Sequence, residues 1–109
     1  MIYLKIIYLE QKNKQEMNVK GGIMEIRTKF NVGDKVYVIY YNTNEKKYFI
    51  KKMKIYYITC YVEYNNTIKI NCSIHDLQWA NDTDCVAEEN CFATKEQAEK
   101  ECNTRNGNI

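Results

Sequence analysis

The stretch YFIKKMKIYYITCYVEY, from Tyr48 to Tyr64, decides the fold of this chain. Its β-branched and aromatic residues favour a strand, but strands usually run for about 3–10 residues and this stretch is much longer. Its apolar side chains occupy odd positions at first and even positions later, and the change falls between Ile55 and Tyr57. One extra residue in a strand, a β-bulge, reverses the faces in this way. The stretch therefore predicts a long, bent strand of the kind that closes small barrels.

A partner strand is predicted from Lys35 to Tyr41. The turn residues Asn31, Gly33 and Asp34 precede it. Both faces of this segment are apolar, so either it is covered on both sides or one side offers a binding surface.

The bent strand is also predicted to form a hairpin with the segment Thr67–Ile74, which alternates apolar and polar residues. A two-residue loop would set Val62 against Lys69 and mix the two faces. A three-residue loop, Asn65 to Thr67, keeps apolar residues opposite apolar residues. The pairs of this predicted register are Tyr64 with Ile68, Val62 with Ile70, and Cys60 with Cys72.

The rest of the chain predicts two short strands and a helix. One strand holds Leu77 and Trp79, a loop follows at 80–84, and a brief strand spans Cys85–Ala87. Thr94 and Gln97 then form a capping box, which predicts a helix over about 95–106. Its narrow inner stripe consists of Ala98 and Cys102, one turn apart.

The first 23 residues are predicted to be an N-terminal extension. The segment Val19–Met24 can be translated back into a purine-rich ribosome-binding site placed just before Met24, so we expect the natural protein to start there. The alternative is a true N-terminal strand or helix, followed by a linker at Gly21 and Gly22. Residues 24–109 are then predicted to form one domain.

Composition indicates a globular protein inside a bacterial cell. Hydrophobic residues make up 45% of the chain and proline is absent, which disfavours a disordered or linker protein. The chain has no apolar run that could span a membrane and no features of a secretory signal. Codons for the abundant Lys, Asn, Ile and Tyr are AT-rich, which points to an AT-rich bacterium or its virus. We expect a cytoplasmic protein with reduced thiols and no membrane partner.

Charge is distributed unevenly along the chain. Residues 24–69 carry nine Lys/Arg and four Asp/Glu, whereas residues 70–109 carry three and eight. Either these halves neutralise each other after folding, which we favour, or one surface faces a polyanion.

Two motifs carry a resemblance: FNVGDKVYVI at residues 30–39 and EENCFATKEQAEKEC at residues 88–102. With the bent hairpin between them, the chain resembles a group of small, mostly uncharacterised proteins of phages and prophages of low-GC Gram-positive bacteria. The resemblance covers Phe30 to Asn106. It implies a small SH3-like β-barrel with a long bent hairpin and one capping C-terminal α-helix, and it implies no activity.

A zinc site is the sharpest chemical alternative. Its ligands would be Cys72, His75, Cys85 and Cys91, because Cys72 and His75 have C-x2-H spacing. Cys72 also belongs to an apolar series and is therefore predicted to be a buried, small hydrophobic residue. Five cysteines cannot all pair within one chain, and only Cys60 and Cys72 are placed for a bridge. We predict no metal and no cofactor.

Catalysis is not predicted. His75 is the sole histidine, no third group stands out to orient a Cys–His pair, and no glycine-rich phosphate loop occurs. We expect His75 to be an exposed loop residue and the protein to be no enzyme.

A binding surface is more credible, because aromatic and basic residues interleave between residues 37 and 57. Small barrels use such faces for peptides or single-stranded nucleic acid. The competing interpretation is that the tyrosines are core and the lysines are a solvated rim. The candidate binding residues are Tyr37, Tyr41, Lys51, Lys52, Lys54, Tyr56, Tyr57 and Trp79.

The sequence therefore predicts a non-enzymatic interaction or accessory module of a phage or mobile element. We expect an unknown protein partner, and inhibition of a host protein is a use suggested by the genomic setting. The alternatives are a nucleic-acid-binding small barrel that uses the basic and aromatic face, and a small zinc-binding module.

Overall fold

The computed structural model describes residues 5–9, 14–19, 22–62 and 67–107 of the chain. Within these ranges the protein is mainly β, with one C-terminal α-helix, as predicted. The strands are β1 (Lys5–Leu9), β2 (Lys14–Val19), β3 (Gly22–Arg27), β4 (Lys35–Asn42), β5 (Lys47–Val62), β6 (Ile68–Asp76), β7 (Thr83–Ala87) and β8 (Cys91–Phe92). A 3-10 helix spans Glu88–Asn90, and the α-helix, α1, spans Lys95–Gly107.

The predicted bulge in β5 is confirmed. Ile55 lies opposite Ile74, whereas Tyr57 lies opposite Ser73, so one extra residue, Tyr56, separates the two pairs. Ile55 and its later neighbour Ile58 are both fully buried. The bulge therefore keeps both halves of a 16-residue strand facing the same core while the strand bends.

The turn before β4 is fastened to this bulge. Gly33 has a φ of 96°, a left-handed conformation that glycine adopts at little cost. Its N–H donates to the carbonyl of Ile55 at 2.8 Å, and the N–H of Ile55 donates to the carbonyl of Asp34 at 2.9 Å. These bonds satisfy backbone groups at the bend, where the strand ladder is interrupted.

The predicted register of the β5–β6 hairpin is wrong by two residues. Val62 lies opposite Ile68, not Ile70, and Cys60 lies opposite Ile70, not Cys72. A shift of two residues leaves every side chain on its own face, so apolar alternation cannot distinguish the two registers. The third predicted pair includes Tyr64, which lies outside the described residues.

The predicted strand at Leu77 and Trp79 is also wrong. Oδ1 of Asp76 accepts hydrogen bonds from the N–H groups of Gln78 (2.7 Å) and Trp79 (2.9 Å), which is how Asp forms a turn. The strand predicted at Cys85–Ala87 is confirmed, but β7 begins two residues earlier, at Thr83. The turn between β6 and β7 therefore spans residues 77–82, whereas the predicted loop spanned 80–84.

The main sheet is antiparallel and follows the order β7-β6-β5-β4-β8, with β1 paired to the second half of β5. Its path does not close in the described part of the chain, because β7 and β8 are its two ends. The strands β2 and β3 form a separate hairpin. The expectation that the natural protein starts at Met24, within β3, stays a prediction.

The hydrophobic core lies on one face of this sheet. Its buried members are Phe30, Val36, Val38, Met53, Ile55, Ile58, Cys60, Cys72, Ile74 and Cys91.

Helix α1 covers part of the other face, against β4, β5 and β8. Its predicted cap and stripe are confirmed: the Gln97 N–H donates to Oγ1 of Thr94 at 3.2 Å, and Ala98 and Cys102 are buried. The Asn106 side chain binds both backbone groups of a β5 residue, Tyr48. In the described ranges, α1 included, we find no helix with the length and apolarity to cross a membrane.

Candidate binding surface

Two consecutive lysines on β5 lie on opposite faces of the sheet. Lys51 lies opposite the buried Val38 and so faces the core side. Lys52 lies opposite Tyr37 on the other side, with its Nζ 5.7 Å from the centre of the Tyr37 ring. The alternation of side chains along a strand thus sends two identical residues into different surroundings.

Lys51 is neutralised at one end of the sheet, where three aspartates gather. Its Nζ lies 3.4 Å from Oδ2 of Asp76 and also forms an ion pair with Asp82. The third aspartate, Asp84, accepts a hydrogen bond from the Tyr40 hydroxyl at 3.0 Å. We call Tyr40, Lys51, Asp76, Asp82 and Asp84 the acidic end.

The protonation states at the acidic end follow from these contacts. The hydrogen bond with Asp82 raises the pKa of Lys51. The N–H groups of Trp79 and Gln78 hold the pKa of Asp76 below its usual range, with a smaller contribution from Lys51. Burial, and then the bond to Asp84, raise the pKa of Tyr40. At neutral pH Lys51 is therefore a cation, Asp76 a carboxylate and Tyr40 a neutral phenol.

The outer face of the sheet has the opposite character. Lys35 lies directly opposite Lys54, and Lys54 lies opposite His75 on its other side, so three strands contribute to one row. Lys52 and Tyr56 flank Lys54 along β5 and are exposed, as are Lys35 and Lys54. We call Lys35, Lys52, Lys54, Tyr56 and His75 the basic face.

The lysines of the basic face have no acidic partner among the residues that the structure describes. None of these lysines takes part in the ion pairs Lys47–Glu45, Lys51–Asp76, Lys51–Asp82, Lys95–Glu99 and Arg105–Glu101. Like charges directly opposite each other in a sheet are destabilising. The pairing of Lys35 with Lys54 is therefore a cost to the isolated fold that an anion would relieve.

The bulge adds aromatic surface next to these lysines. Tyr56 and Tyr57 both lie outside the core, with ring centres 5.1 Å apart, and Tyr56 is 42% exposed. The ring of His75 lies 5.9 Å from that of Tyr56, at 37° to it. Two neighbouring rings thus border a row of exposed lysines.

The predicted zinc ligands do not come together. Cys72 and Cys91 are buried in the core, whereas Cys85 is exposed on the edge strand β7. His75 lies on β6 and is half-buried, which corrects its prediction as an exposed loop residue; its Nδ1–H donates to the Asp76 carbonyl. Across the described ranges, no group of three or more His, Cys, Asp or Glu side chains is placed to hold a metal ion.

Two of the buried thiols, those of Cys60 and Cys72, are poor nucleophiles at neutral pH, whereas the hydrogen bond with Cys72 lowers the pKa of Cys91. Burial raises the pKa of Cys60 to about 11. A hydrogen bond with Cys91, and then burial, raise the pKa of Cys72. Because the thiolate is the reactive form, thiols held protonated in this way have little reactivity.

The eight predicted binding residues fall into separate regions. Lys52, Lys54 and Tyr56 belong to the basic face, with Tyr37 and Tyr57 beside them. The other three lie elsewhere: Lys51 in the acidic end, Tyr41 against Tyr48 near the tip of the β4–β5 hairpin, and Trp79 in the β6–β7 turn, 68% exposed.

Sequence reasoning missed Lys35 and His75 as members of the basic face. Both join it only through cross-strand pairing with Lys54. For Lys35 one signal was available in the sequence: it shares the odd-numbered face of β4 with the predicted binding residue Tyr37.

Comparison with known proteins identifies no relative: neither the family models, nor the curated proteins, nor the solved structures contain a match to this chain.

Proposed function

We propose that the protein is a non-enzymatic interaction module that engages an anionic partner through the basic face. One observation carries the proposal: Lys35, Lys52 and Lys54 share an exposed face without a carboxylate to neutralise them in the described part of the chain. Clefts and faces of one charge sign attract oppositely charged partners and raise the rate of encounter.

We also propose that the strands form an SH3-like barrel. Its support is the succession of antiparallel strands, the bent β5, and the 3-10 helix that leads from β7 to β8, which pairs with β4. The hydrogen bond between Tyr40 of β4 and Asp84 of β7 also links strands that lie apart in the sheet order. Such a fold would enclose the core and turn the basic face outward.

The setting of this activity is proposed from the resemblance to phage and prophage proteins. It suggests an accessory module acting in the cytoplasm of a bacterial host. An acidic host protein, whose inhibition is one use, and a nucleic acid both have the charge that the basic face requires.

Heparin chromatography of the full chain tests the anionic partner. The double variant Lys52→Gln/Lys54→Gln should elute at lower salt than the unsubstituted protein, because two phosphate- or sulfate-binding charges are lost. The matched control is Lys47→Gln/Lys100→Gln, which removes the same charge from the hairpin tip and from α1. Equal elution of the two double variants would refute the proposal.

A further inference from the structure

We infer that the anionic partner is single-stranded nucleic acid, with an unpaired base stacked on Tyr56 and phosphates bound by Lys35, Lys52 and Lys54. This inference rests on the proposed function, since it names the partner of the same face.

The lysines are spaced for a chain of repeated negative charges. Lys52 and Lys54 are two residues apart on one face of β5, which separates their Cα atoms by about 6.7 Å. Lys35 adds a third ammonium across the strand pair from Lys54. Ammonium groups bind phosphates as point charges and do not need the fork geometry that arginine offers to carboxylates and phosphates alike. The basic face contains lysines and no arginine.

The aromatic rings offer a stacking surface, which a base can use and a simple polyanion does not need. Tyr56 is exposed, and the ring of His75 lies beside it at 5.9 Å. Every base has a π-face, so stacking on such rings contributes to binding without sequence preference. The carboxylates of an acidic peptide need no exposed ring beside the lysines, which favours nucleic acid over an acidic protein.

The geometry favours a single strand over a duplex. In a duplex the bases are stacked on one another, and an isolated tyrosine on a sheet surface cannot reach their faces. Tyr56 stands at the bulge, where the strand bends, and its neighbour Tyr57 is also outside the core. A strand with unpaired bases can place a base on this ring while its backbone follows Lys54 and Lys52.

Fluorescence anisotropy with the full chain and a labelled oligo-dT of about 15 nucleotides tests the inference. If three lysines each neutralise a phosphate, the logarithm of the association constant should fall with that of the salt concentration with a slope of about −2. Lys52→Gln/Lys54→Gln should reduce this slope to about −0.7. Lys47→Gln/Lys100→Gln should leave it unchanged.

Substitutions of Tyr56 provide a second test, because they change the stacking surface and leave the charge of the protein unchanged. Tyr56→Leu should weaken binding about 10-fold through loss of the stacked base, whereas Tyr56→Phe should stay within about twofold. Tyr41→Leu is the matched control, because Tyr41 is equally exposed but lies near the hairpin tip. All these side chains are exposed or half-exposed, and far-ultraviolet circular dichroism verifies that each variant is folded.

The outcomes separate the two proposals. Binding of a duplex of equal length as tightly as oligo-dT, or no effect of Tyr56→Leu, would overturn the inference. If oligo-dT does not bind but heparin or poly-glutamate binds through Lys52 and Lys54, the single-strand inference fails and the anionic-partner proposal stands. If no polyanion depends on these lysines, both fail.

Discussion

The acidic end and the basic face begin one peptide bond apart, at Lys51 and Lys52. Lys51 lies between Asp76 and Asp82 and stabilises the folded protein through both ion pairs. Lys52, with Lys35 and Lys54, has no carboxylate partner among the described residues, and Lys35 and Lys54 repel each other across the strand pair. A lysine without a carboxylate partner in the described part of the chain is the better candidate for contact with an anion of another molecule.

The same comparison refines the expected neutralisation between the two halves of the chain. Lys51 and its aspartates come from opposite halves, so neutralisation does occur at the acidic end. It does not extend to the basic face. The uneven distribution of charge along the sequence therefore corresponds to two surfaces of different charge, the acidic end and the basic face.

The largest loss of stability is expected from a substitution inside β5. The acidic end and the basic face both depend on the bulge, because it fixes which β5 side chains face the core. Ile58→Ala should lower the free energy of unfolding by about 3 kcal/mol, since Ile58 is fully buried and such truncations cost about 2–5 kcal/mol. Tyr56→Ala, two residues away and exposed, should cost less than about 1 kcal/mol. Urea unfolding measures both, and equal losses would mean that the faces are assigned wrongly.

The next effect separates the two adjacent lysines directly. Lys51→Met should destabilise the protein by about 1.5 kcal/mol, a value between those of exposed and buried ion pairs because the Lys51 side chain is 28% exposed. Lys52→Met should change stability by no more than about 0.5 kcal/mol, because Lys52 is exposed and has no ion pair among the described residues. Equal destabilisation by both variants in thermal unfolding would remove the distinction.

A smaller loss is expected from the helix that covers the outer face next to the basic face. Cys102→Ala should cost about 1 kcal/mol, because Cys102 is buried and its Sγ accepts from Nδ2 of Asn106 at 3.7 Å. Heparin binding should not change. Elemental analysis should find no zinc in either protein, and stoichiometric zinc lost on substitution would contradict the structural role.

The acidic end should also shape the pH dependence of stability. The folded-state pKa of Asp76 is lowered, so its stabilisation is present above its unfolded value and is lost as the pH falls through the folded value. The pKa of Lys51 is raised, and that of Cys60 is raised from 9.0 to about 11, so stability should decline as the pH rises above about 9.

Thermal melts between about pH 2 and pH 10.5 measure this profile. Asp76→Asn keeps an oxygen acceptor for the turn and removes the charge, so it should flatten the acid limb and change the alkaline limb less, because Asp82 is the main cause of the raised pKa of Lys51. An unfolding temperature that rises continuously below pH 3 would contradict the assignment.

Local patterns made much of the fold predictable. The change of parity at Ile55–Tyr57 located the bulge because core-facing residues must stay on one side of a strand. Thr94 and Gln97 located the helix start because a cap is a local hydrogen bond. The β5–β6 register was not predictable, since a shift of two residues preserves the alternation. The Leu77–Trp79 segment resembled a strand because the hydrogen bonds of the Asp76 carboxylate leave no trace in apolar spacing.

The candidate site was predictable only in part. Lys52, Lys54 and Tyr56 could be selected from their aromatic and basic surroundings. Lys51 could not be separated from them, because its aspartate partners are about 25 and 31 residues away in sequence. Lys35 and His75 joined the surface through cross-strand pairing, which depends on two registers that the sequence did not determine.

Nuclear magnetic resonance of the lysine side chains tests the central claim most directly. The ε-methylene signals of the full chain are followed while a heparin oligosaccharide is added. Anion binding on the outer face should shift the signals of Lys35, Lys52 and Lys54 and leave that of Lys51 in place. A shift of Lys51 as large as that of Lys52, or no shift of any of the three outer lysines, would contradict it.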